Sequence, residues 1–228
     1  MCPYDSLAHE RWTRVPDPYT GPHADTAALI LIDVQRDFFE EDAPARIEGT
    51  SEAIPAMAEL ASAFRAKGLP IVHVVRLYLP DGSNADMVRR HAIENGARVV
   101  RPGSPGAQVA PELLPAKAEL DDEILLKGGF QAVGPREHIM YKPRWGAFYG
   151  TALEGHLRDA GADTLVFAGC NFPNCPRTSV YEASERDFRA VLVADAMSGV
   201  YDRGAAECRR IGVPVWNVAE TVKWLEAV

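Results

Sequence analysis

Short runs of consecutive apolar residues alternate with longer stretches of helical period from residue 27 onward. Six of these runs have the length of strands: AALILID (27–33), PIVHVVRLYL (70–79), HIMYK (138–142), TLVFAG (164–169), AVLVAD (190–195) and VPVWN (213–217). Because they are apolar throughout rather than alternating, they are typical of strands covered on both faces of a sheet. Five segments between or after them have helical period: 55–68, 148–161, 179–188, 203–212 and 220–227. This alternation predicts an α/β three-layer sandwich with a six-stranded, mostly parallel sheet.

The two ends of this pattern suggest the domain organisation. Residues 1–26 contain four prolines and no periodicity, so we interpret them as an irregular N-terminal arm that lies across a neighbouring subunit. Residues 27–228 are expected to form a single domain. The stretch 80–127 is less regular, and its PDGSN and RPGSPGAQ segments indicate loops, which in such folds commonly shape the active site.

Composition and charge narrow the function classes. Hydrophobic residues make up 47% and charged residues 25% of the 228, an ordinary globular balance that excludes a disordered chain. The net charge is −8, and an acidic chain without a basic block repels nucleic acid. The sequence contains no pattern of a signal peptide and no apolar run long enough for a bilayer, so we expect a cytoplasmic protein without a membrane partner. Four cysteines are too few for a disulfide framework.

Three chemically active side chains follow predicted strands. Asp33 follows the first strand, Lys142 the third, and Cys175 lies in the segment after the fourth. Ligands of open parallel sheets bind beyond the carboxyl ends of the strands, where the strand order reverses, so the three groups can share one crevice. Asp33 could accept the thiol proton and Lys142 could stabilise negative charge. Since Pro176 favours a helix start, the helix dipole should favour the Cys175 thiolate.

This trio predicts acyl transfer to cysteine followed by hydrolysis, with backbone N–H groups of Asn171 and Cys175 around the oxyanion. Each residue also has an ordinary structural role open to it, as a helix cap, a solvated lysine or a buried thiol. Two other functions stay open at this point: a redox protein that uses Cys170 and Cys175 as a dithiol, and a binding protein without turnover. A dinucleotide-binding domain is disfavoured because no G-x-G-x-x-G follows the first strand.

Three motifs resemble those of one known family. ALILIDVQRDFF is similar to an apolar strand followed by D-x-Q-x-D-F, YKPRWGAFYGT to K-x-x-x-[SG]-A-F-x-G-T, and GCNFPNCPRTSVYEASERDF to G-x-x-x-x-x-C followed by a helix. In this order they resemble the isochorismatase-like cysteine hydrolases. That family includes nicotinamidases, N-carbamoylsarcosine amidases, and hydrolases of ureidoacrylate, biuret and the streptothricin lactam. The resemblance runs from about residue 27 to the end of the chain.

The resemblance implies a catalytic triad of Asp33, Lys142 and Cys175, and a sheet of strand order 3-2-1-4-5-6. It implies a cis peptide between Cys170 and Asn171, and an oxyanion hole formed by the N–H groups of Asn171 and Cys175. The implied reaction is hydrolysis of a C–N bond in a small-molecule amide, ureide or lactam through a thioester. A homodimer or higher homo-oligomer is expected as well.

The sequence also departs from the family pattern. The residue three positions before the cysteine, usually threonine, is Phe172, and Pro173 follows it. The metal-binding histidines of nicotinamidases have no counterpart here, and His73 within the second strand is expected to be a core or rim residue rather than a ligand, so we predict no metal and no other cofactor. The presence of Cys175 argues against cleavage of the isochorismate vinyl ether, whose hydrolases lack that cysteine.

Contacts to the substrate are suggested by residues in or beside the motifs. Four aromatic residues are candidates for apolar walls: Phe38, Trp145, Phe148 and Phe172. Four arginines are candidate anchors for a substrate carboxylate: Arg76, Arg101, Arg144 and Arg177. The sequence does not choose between a linear carbamoyl or ureido amide and a lactam as substrate.

Overall fold

The computed structural model describes residues 17–227, and within them one sheet has seven strands. The strands are β1 (Ala27–Ile32), β2 (Ile71–Val75), β3 (Phe130–Gly134), β4 (Glu137–Tyr141), β5 (Thr164–Gly169), β6 (Arg189–Met197) and β7 (Val215–Trp216). Their order across the sheet is β3-β4-β2-β1-β5-β6-β7. Every neighbouring pair is parallel except β3 with β4. The α/β class is therefore confirmed, and the six parallel strands follow the expected order.

The edge strand β3 corrects the expected count of six strands. It pairs antiparallel with β4, and Phe130 lies opposite Met140. The sequence pattern missed β3 because its side chains are only half-buried at the sheet edge, so it lacks a fully apolar run. Since β3 lies beside β4 and away from β1 and β5, it adds a rim to the sheet without changing the point of strand reversal.

Helices cover both faces of this sheet. The eight α-helices of residues 17–227 are α1 (Arg36–Phe39), α2 (Thr50–Ala66), α3 (Met87–Glu94), α4 (Asp122–Leu126), α5 (Leu153–Asp159), α6 (Cys175–Ser184), α7 (Asp202–Arg210) and α8 (Val218–Glu226). Side chains of α2 and α8 pack with Leu29 and Leu31 of β1, whereas side chains of α5, α6 and α7 pack with Ala28, Ile30 and Ile32. Alternate residues of β1 thus enter two separate cores, which explains why the strand is apolar throughout. No helix within 17–227 has the length and apolar character to cross a bilayer.

Two helix predictions need correction. The helix expected at 148–161 begins only at Leu153, because the preceding segment forms turns tied to α6. There the N–H of Ala147 donates to Ser179 Oγ at 3.0 Å, and that of Phe148 to Glu182 Oε2 at 2.9 Å. The less regular stretch 80–127 contains α3 and α4, for which no helix was predicted, and two short 3-10 helices, Pro105–Ala107 and Pro111–Leu113.

Residues 17–26, the described part of the predicted arm, lie against the domain of the same chain. The N–H of His23 donates to Thr164 Oγ1 at 3.0 Å, and Thr26 Oγ1 donates to Asp163 Oδ1 at 2.5 Å. The rest of the predicted arm, 1–16, lies outside the described residues. The contacts at 17–26 tie the chain to the amino end of β5, the edge of the sheet opposite the strand ends that carry the chemistry.

Gly169 permits the close approach of β5 to β1 beneath those strand ends. Its φ is +124°, and a Cβ there would overlap the carbonyl oxygen of Ile32, the residue before Asp33. We expect Gly169→Ala to lower the free energy of unfolding by about 3 kcal/mol, since strain and overpacking act together. Gly161→Ala is a matched control, because Gly161 has φ +79° but no atom within 4 Å of an added Cβ. Gly161→Ala should lower the free energy of unfolding by about 1 kcal/mol. Urea unfolding measures both, and equal losses would contradict the close-approach argument.

Candidate active site

Asp33 begins the site directly after β1. Its backbone has φ +54°, a conformation that Asp and Asn adopt more readily than other residues with a side chain. Its N–H donates to the carbonyl of Val74 at 2.8 Å, which holds it beside the end of β2. The residue is 5% exposed. The carboxylate is therefore held at the carboxyl edge of the sheet, nearly out of contact with solvent.

Lys142 follows β4 and pairs with this carboxylate. Its Nζ lies 2.8 Å from Asp33 Oδ2 and donates to the carbonyl of Arg144 at 3.3 Å. The lysine is fully buried, and a buried ion pair requires good geometry to offset its desolvation. Asp33 Oδ1 is buried and has no hydrogen-bond partner within residues 17–227. One oxygen of Asp33 is thus bound by a cation, and the other is available to accept a proton.

Cys175 is the first residue of α6, and Pro176 follows it as expected at a helix start. Burial raises the pKa of the Cys175 thiol and the negative charge of Asp33 raises it further, whereas Lys142 and Arg76 lower it. Burial and the charge of Asp33 therefore oppose the stabilisation of a thiolate that was expected from the helix dipole. A thiol beside a carboxylate is an arrangement suited to proton transfer as the sulfur attacks.

The loop between β5 and α6 presents backbone donors beside the sulfur. The peptide bond between Cys170 and Asn171 is cis, at the position that the resemblance implied. The N–H groups of Asn171 and Cys175 donate to no acceptor within residues 17–227, whereas the N–H of Phe172 donates to Ser198 at 2.9 Å. Both residues also line the crevice, so two backbone N–H groups without an acceptor in the described part of the chain belong to its lining residues.

Cys170 has a structural environment. Its Sγ donates to the carbonyl of Asp33 at 3.0 Å, and the residue is 1% exposed. Burial and the charge of Asp33 raise the pKa of the Cys170 thiol well above its ordinary value. The bond ties the end of β5 to the end of β1, so Cys170 helps to hold Asp33 in place.

These groups surround a small crevice of about 20 Å³ that opens to solvent. Its lining consists of Asp33, Phe38, Ile47, Arg76, Tyr78, Arg89, Cys170, Asn171, Asn174 and Cys175. This volume holds about one water molecule and lies below the usual range for small-molecule sites. The crevice nevertheless brings the sulfur and the carboxylate to a single opening.

Comparison with known proteins decides the family. A family model described as the isochorismatase domain matches residues 27–211. The chain belongs to the isochorismatase family. A solved isochorismatase family protein from Desulfovibrio vulgaris is 33% identical with a TM-score of 0.75, covering 88% of this chain and 98% of that one.

Two curated relatives are similar to most of this isochorismatase-family chain, and one of them is named as inactive. A protein of Arabidopsis thaliana named "probable inactive nicotinamidase" is 28% identical over 193 residues, which are 82% of this chain and 89% of that protein. A ureidoacrylate amidohydrolase of Azorhizobium caulinodans is 26% identical over 227 residues, covering 93% of this chain and 91% of the relative. The family expected from the three motifs is thus confirmed.

The D-x-Q-x-D-F motif of this family has a structural explanation here. Gln35 Nε2 donates to the carbonyls of Arg76 at 2.8 Å and Ala107 at 2.6 Å, and its Oε1 accepts from the N–H of Arg76 at 2.7 Å. Asp37 Oδ2 accepts from the N–H of Val100 at 2.5 Å. The motif therefore supplies one crevice carboxylate and two side chains that anchor the neighbouring loops.

Among the aromatic residues expected to contact substrate, Phe38 lines the crevice and the other three do not. Phe172 is fully buried, and its ring lies 5.5 Å from that of Tyr201. Phe148 packs in the same core, and Trp145 packs against that core from its edge. The side chains of these three residues pack within or against the core between the sheet and α5, α6 and α7.

Of the four candidate arginines, one lines the crevice and three do not. Arg76 lines the crevice, whereas Arg101, Arg144 and Arg177 are not among its lining residues. Arg144 donates to backbone carbonyls of Asn84 and Pro143. Arg177 forms an ion pair with Glu207, away from the crevice lining. His73 is buried with its Nε2 2.6 Å from Glu137 Oε1, a core position as expected.

Four further lining residues were missed by the sequence pattern: Ile47, Tyr78, Arg89 and Asn174. The signal for Tyr78 was present, because it follows the end of β2 closely. The apolar run predicted a strand continuing to residue 79, but β2 ends at Val75. Arg89 lies in α3, within the less regular stretch for which no element was predicted, so nothing in the pattern distinguished it. Within residues 17–227, no group of three or more His, Cys, Asp or Glu side chains is arranged to hold a metal ion.

Proposed function

We propose that this chain is a cysteine hydrolase that cleaves a C–N bond of a small-molecule amide, ureide or lactam through a thioester intermediate. The observation that carries the proposal is the environment of Cys175. Cys175 is the first residue of α6 and lies beside the carboxylate of Asp33. One oxygen of this carboxylate pairs with buried Lys142, and the other has no hydrogen-bond partner within residues 17–227. A nucleophile, its base and a fixed cation at a crevice satisfy the geometric requirements of covalent acyl transfer.

The steps follow from these contacts. The thiol proton passes to the free oxygen of Asp33 as the sulfur bonds to the carbonyl carbon, and the resulting oxyanion accepts from the N–H groups of Asn171 and Cys175. The C–N bond then breaks, and Asp33 returns the proton to the departing nitrogen. A water molecule attacks the thioester with Asp33 as base, the C–S bond breaks, and the thiol is restored. Each oxyanion donor typically contributes about 10² to 10³ in rate.

The relatives support the reaction class but do not carry the proposal. One relative has a name that describes amidohydrolysis of a ureido compound, and another has the name of an inactive nicotinamidase. Because the family includes both an amidohydrolase and a protein named as inactive, family membership alone does not assign the activity. The side chains of Asp33, Lys142 and Cys175 support it instead. A dithiol redox role receives no support from Cys170, which is buried and bound to the carbonyl of Asp33.

The charge of the crevice favours an anionic substrate. Asp33 pairs with Lys142, and Asp86 pairs with Arg76, so these charges cancel. The side chain of Arg89 lines the crevice and has no ion-pair or hydrogen-bond partner within residues 17–227. We therefore infer that the amide or ureide carries a carboxylate, which Arg89 binds by charge-assisted hydrogen bonds.

A substrate panel tests this function. It pairs N-carbamoyl amino acids with their neutral amides and adds lactams and nicotinamide, with amine or ammonia release as the readout. We expect kcat/KM to be about tenfold to a hundredfold higher for the carboxylates, since a hydrogen bond to a charged group contributes about 1.5–3 kcal/mol. Arg89→Met should remove this preference by raising KM. Arg101→Met, which lies outside the crevice, should leave it unchanged. No release from any compound would contradict the hydrolase, and an unchanged preference in Arg89→Met would contradict the role of Arg89.

A further inference from the structure

Arg76 is a buried cation in contact with the candidate nucleophile. It follows β2 directly and is 2% exposed. One terminal nitrogen of its guanidinium lies 3.7 Å from Cys175 Sγ. The other donates to Asp86 Oδ2 at 2.9 Å and to the carbonyl of Pro143 at 3.2 Å. Because the guanidinium is engaged by these protein groups, it is poorly placed to bind a substrate carboxylate.

The surroundings of Arg76 hold it in this orientation. Asp86 is 5% exposed and also accepts from the hydroxyl of Tyr78 at 3.1 Å. The backbone of Arg76 is held on both its N–H and its carbonyl by Gln35. A guanidinium fixed at its backbone and at its side chain is preorganised, so it needs no rearrangement when charge develops on the sulfur.

Four groups that can titrate or carry charge face Cys175, each from the end of a different strand. Asp33 follows β1, Arg76 follows β2, Lys142 follows β4 and Cys170 follows β5. When the thiol proton passes to Asp33, that carboxyl becomes neutral and the negative charge moves to the sulfur. The sulfur then faces two cations, Lys142 and Arg76.

We propose that Arg76 is a fourth catalytic residue, whose guanidinium stabilises the negative charge on Cys175 Sγ during attack. This inference rests on the proposed role of Cys175 as the nucleophile. It assigns Arg76 to the reacting sulfur and leaves the substrate carboxylate to Arg89. Asp86 is then a positioning residue that aims Arg76 and moderates its charge.

Alkylation of Cys175 tests this inference without any substrate. The rate of iodoacetamide modification is followed against pH by mass spectrometry of the peptide that contains Cys175, with Cys175→Ala as the blank. We expect Arg76→Met to raise the apparent pKa of Cys175 and to slow its alkylation at pH 7 about tenfold, equivalent to one pKa unit. Asp86→Asn retains Arg76 and removes its counter-charge, so it should lower the apparent pKa and speed alkylation.

The opposite signs separate electrostatics from loosened packing. A structural role for the Arg76–Asp86 pair would make both variants change the alkylation rate in the same direction, and that result would overturn the proposal. An unchanged pKa in Arg76→Met would overturn it as well. Arg76→Lys should recover part of the effect. If Arg76→Met does not fold, Asp86→Asn decides alone, and slower or unchanged alkylation refutes the role of Arg76. Because no substrate takes part, a failed hydrolysis assay leaves this test intact.

Discussion

Cys175→Ala should abolish amide hydrolysis while the protein stays folded. The proposed thioester requires the sulfur, and loss of the nucleophile in comparable covalent hydrolases costs about 10⁴-fold or more in kcat. The substitution removes one nearly buried atom, so the free energy of unfolding should change by only about 1 kcal/mol. Amine release from the best substrate of the panel measures the activity, and circular dichroism with urea unfolding measures the fold.

Cys208→Ala is the matched control for this prediction. Cys208 is a buried cysteine in α7 and is not among the residues that line the crevice. Its replacement should leave turnover unchanged. Mass spectrometry of the wild-type protein quenched during turnover should also show an acyl adduct on the peptide that contains Cys175. Normal hydrolysis by Cys175→Ala would refute the proposed function, whatever the adduct experiment shows.

Asp33→Asn should reduce hydrolysis about 10³-fold or more and at the same time lower the pKa of Cys175. The two effects have one cause. The amide cannot accept the thiol proton or return it to the departing nitrogen, and it carries no negative charge to oppose a thiolate. Because Asp33 is among the groups that raise the pKa of Cys175, its neutralisation increases the thiolate fraction at pH 7. The variant should therefore alkylate faster than wild type while it hydrolyses more slowly.

The stability of the Asp33→Asn variant can be controlled by a second substitution. Asn tolerates the φ of +54° that the position requires, so the backbone needs no change. The substitution does leave Lys142 as an uncompensated buried charge, which costs about 3–5 kcal/mol in other proteins. The double variant Asp33→Asn with Lys142→Met removes both charges and should recover stability without activity. Retained turnover in Asp33→Asn, or a higher pKa of Cys175, would contradict the assignment of Asp33 as base.

The pattern of apolar runs was sufficient to predict the α/β fold class. Strands such as β1 are buried on both faces, and this burial requires an unbroken apolar sequence that a reader of the chain can recognise. Edge strand β3 has no such requirement because its side chains are half-exposed, so its sequence looks like a loop. The sequence therefore predicts central strands better than edges.

Aromatic residues near the motifs show a different limit. Phe38 and Phe172 are both buried beside the crevice loops, yet only Phe38 lines the crevice. Nothing in an apolar side chain specifies whether it packs into a core or faces a ligand. The direction is set by the backbone that carries it, here the loop before α6, whose Phe172 ring packs against Tyr201.

The sequence by itself determined the order of the chemical groups along the chain, because Asp33, Lys142 and Cys175 each follow a segment whose apolar pattern predicts a strand. Only the tertiary structure decided which cations face the sulfur. Arg76 follows β2 and is bound by Asp86 at the start of α3, so its distance to Cys175 depends on where β2 ends and how α3 packs. Electrostatic roles arise from distance and burial, which are properties of the folded chain rather than of residue types.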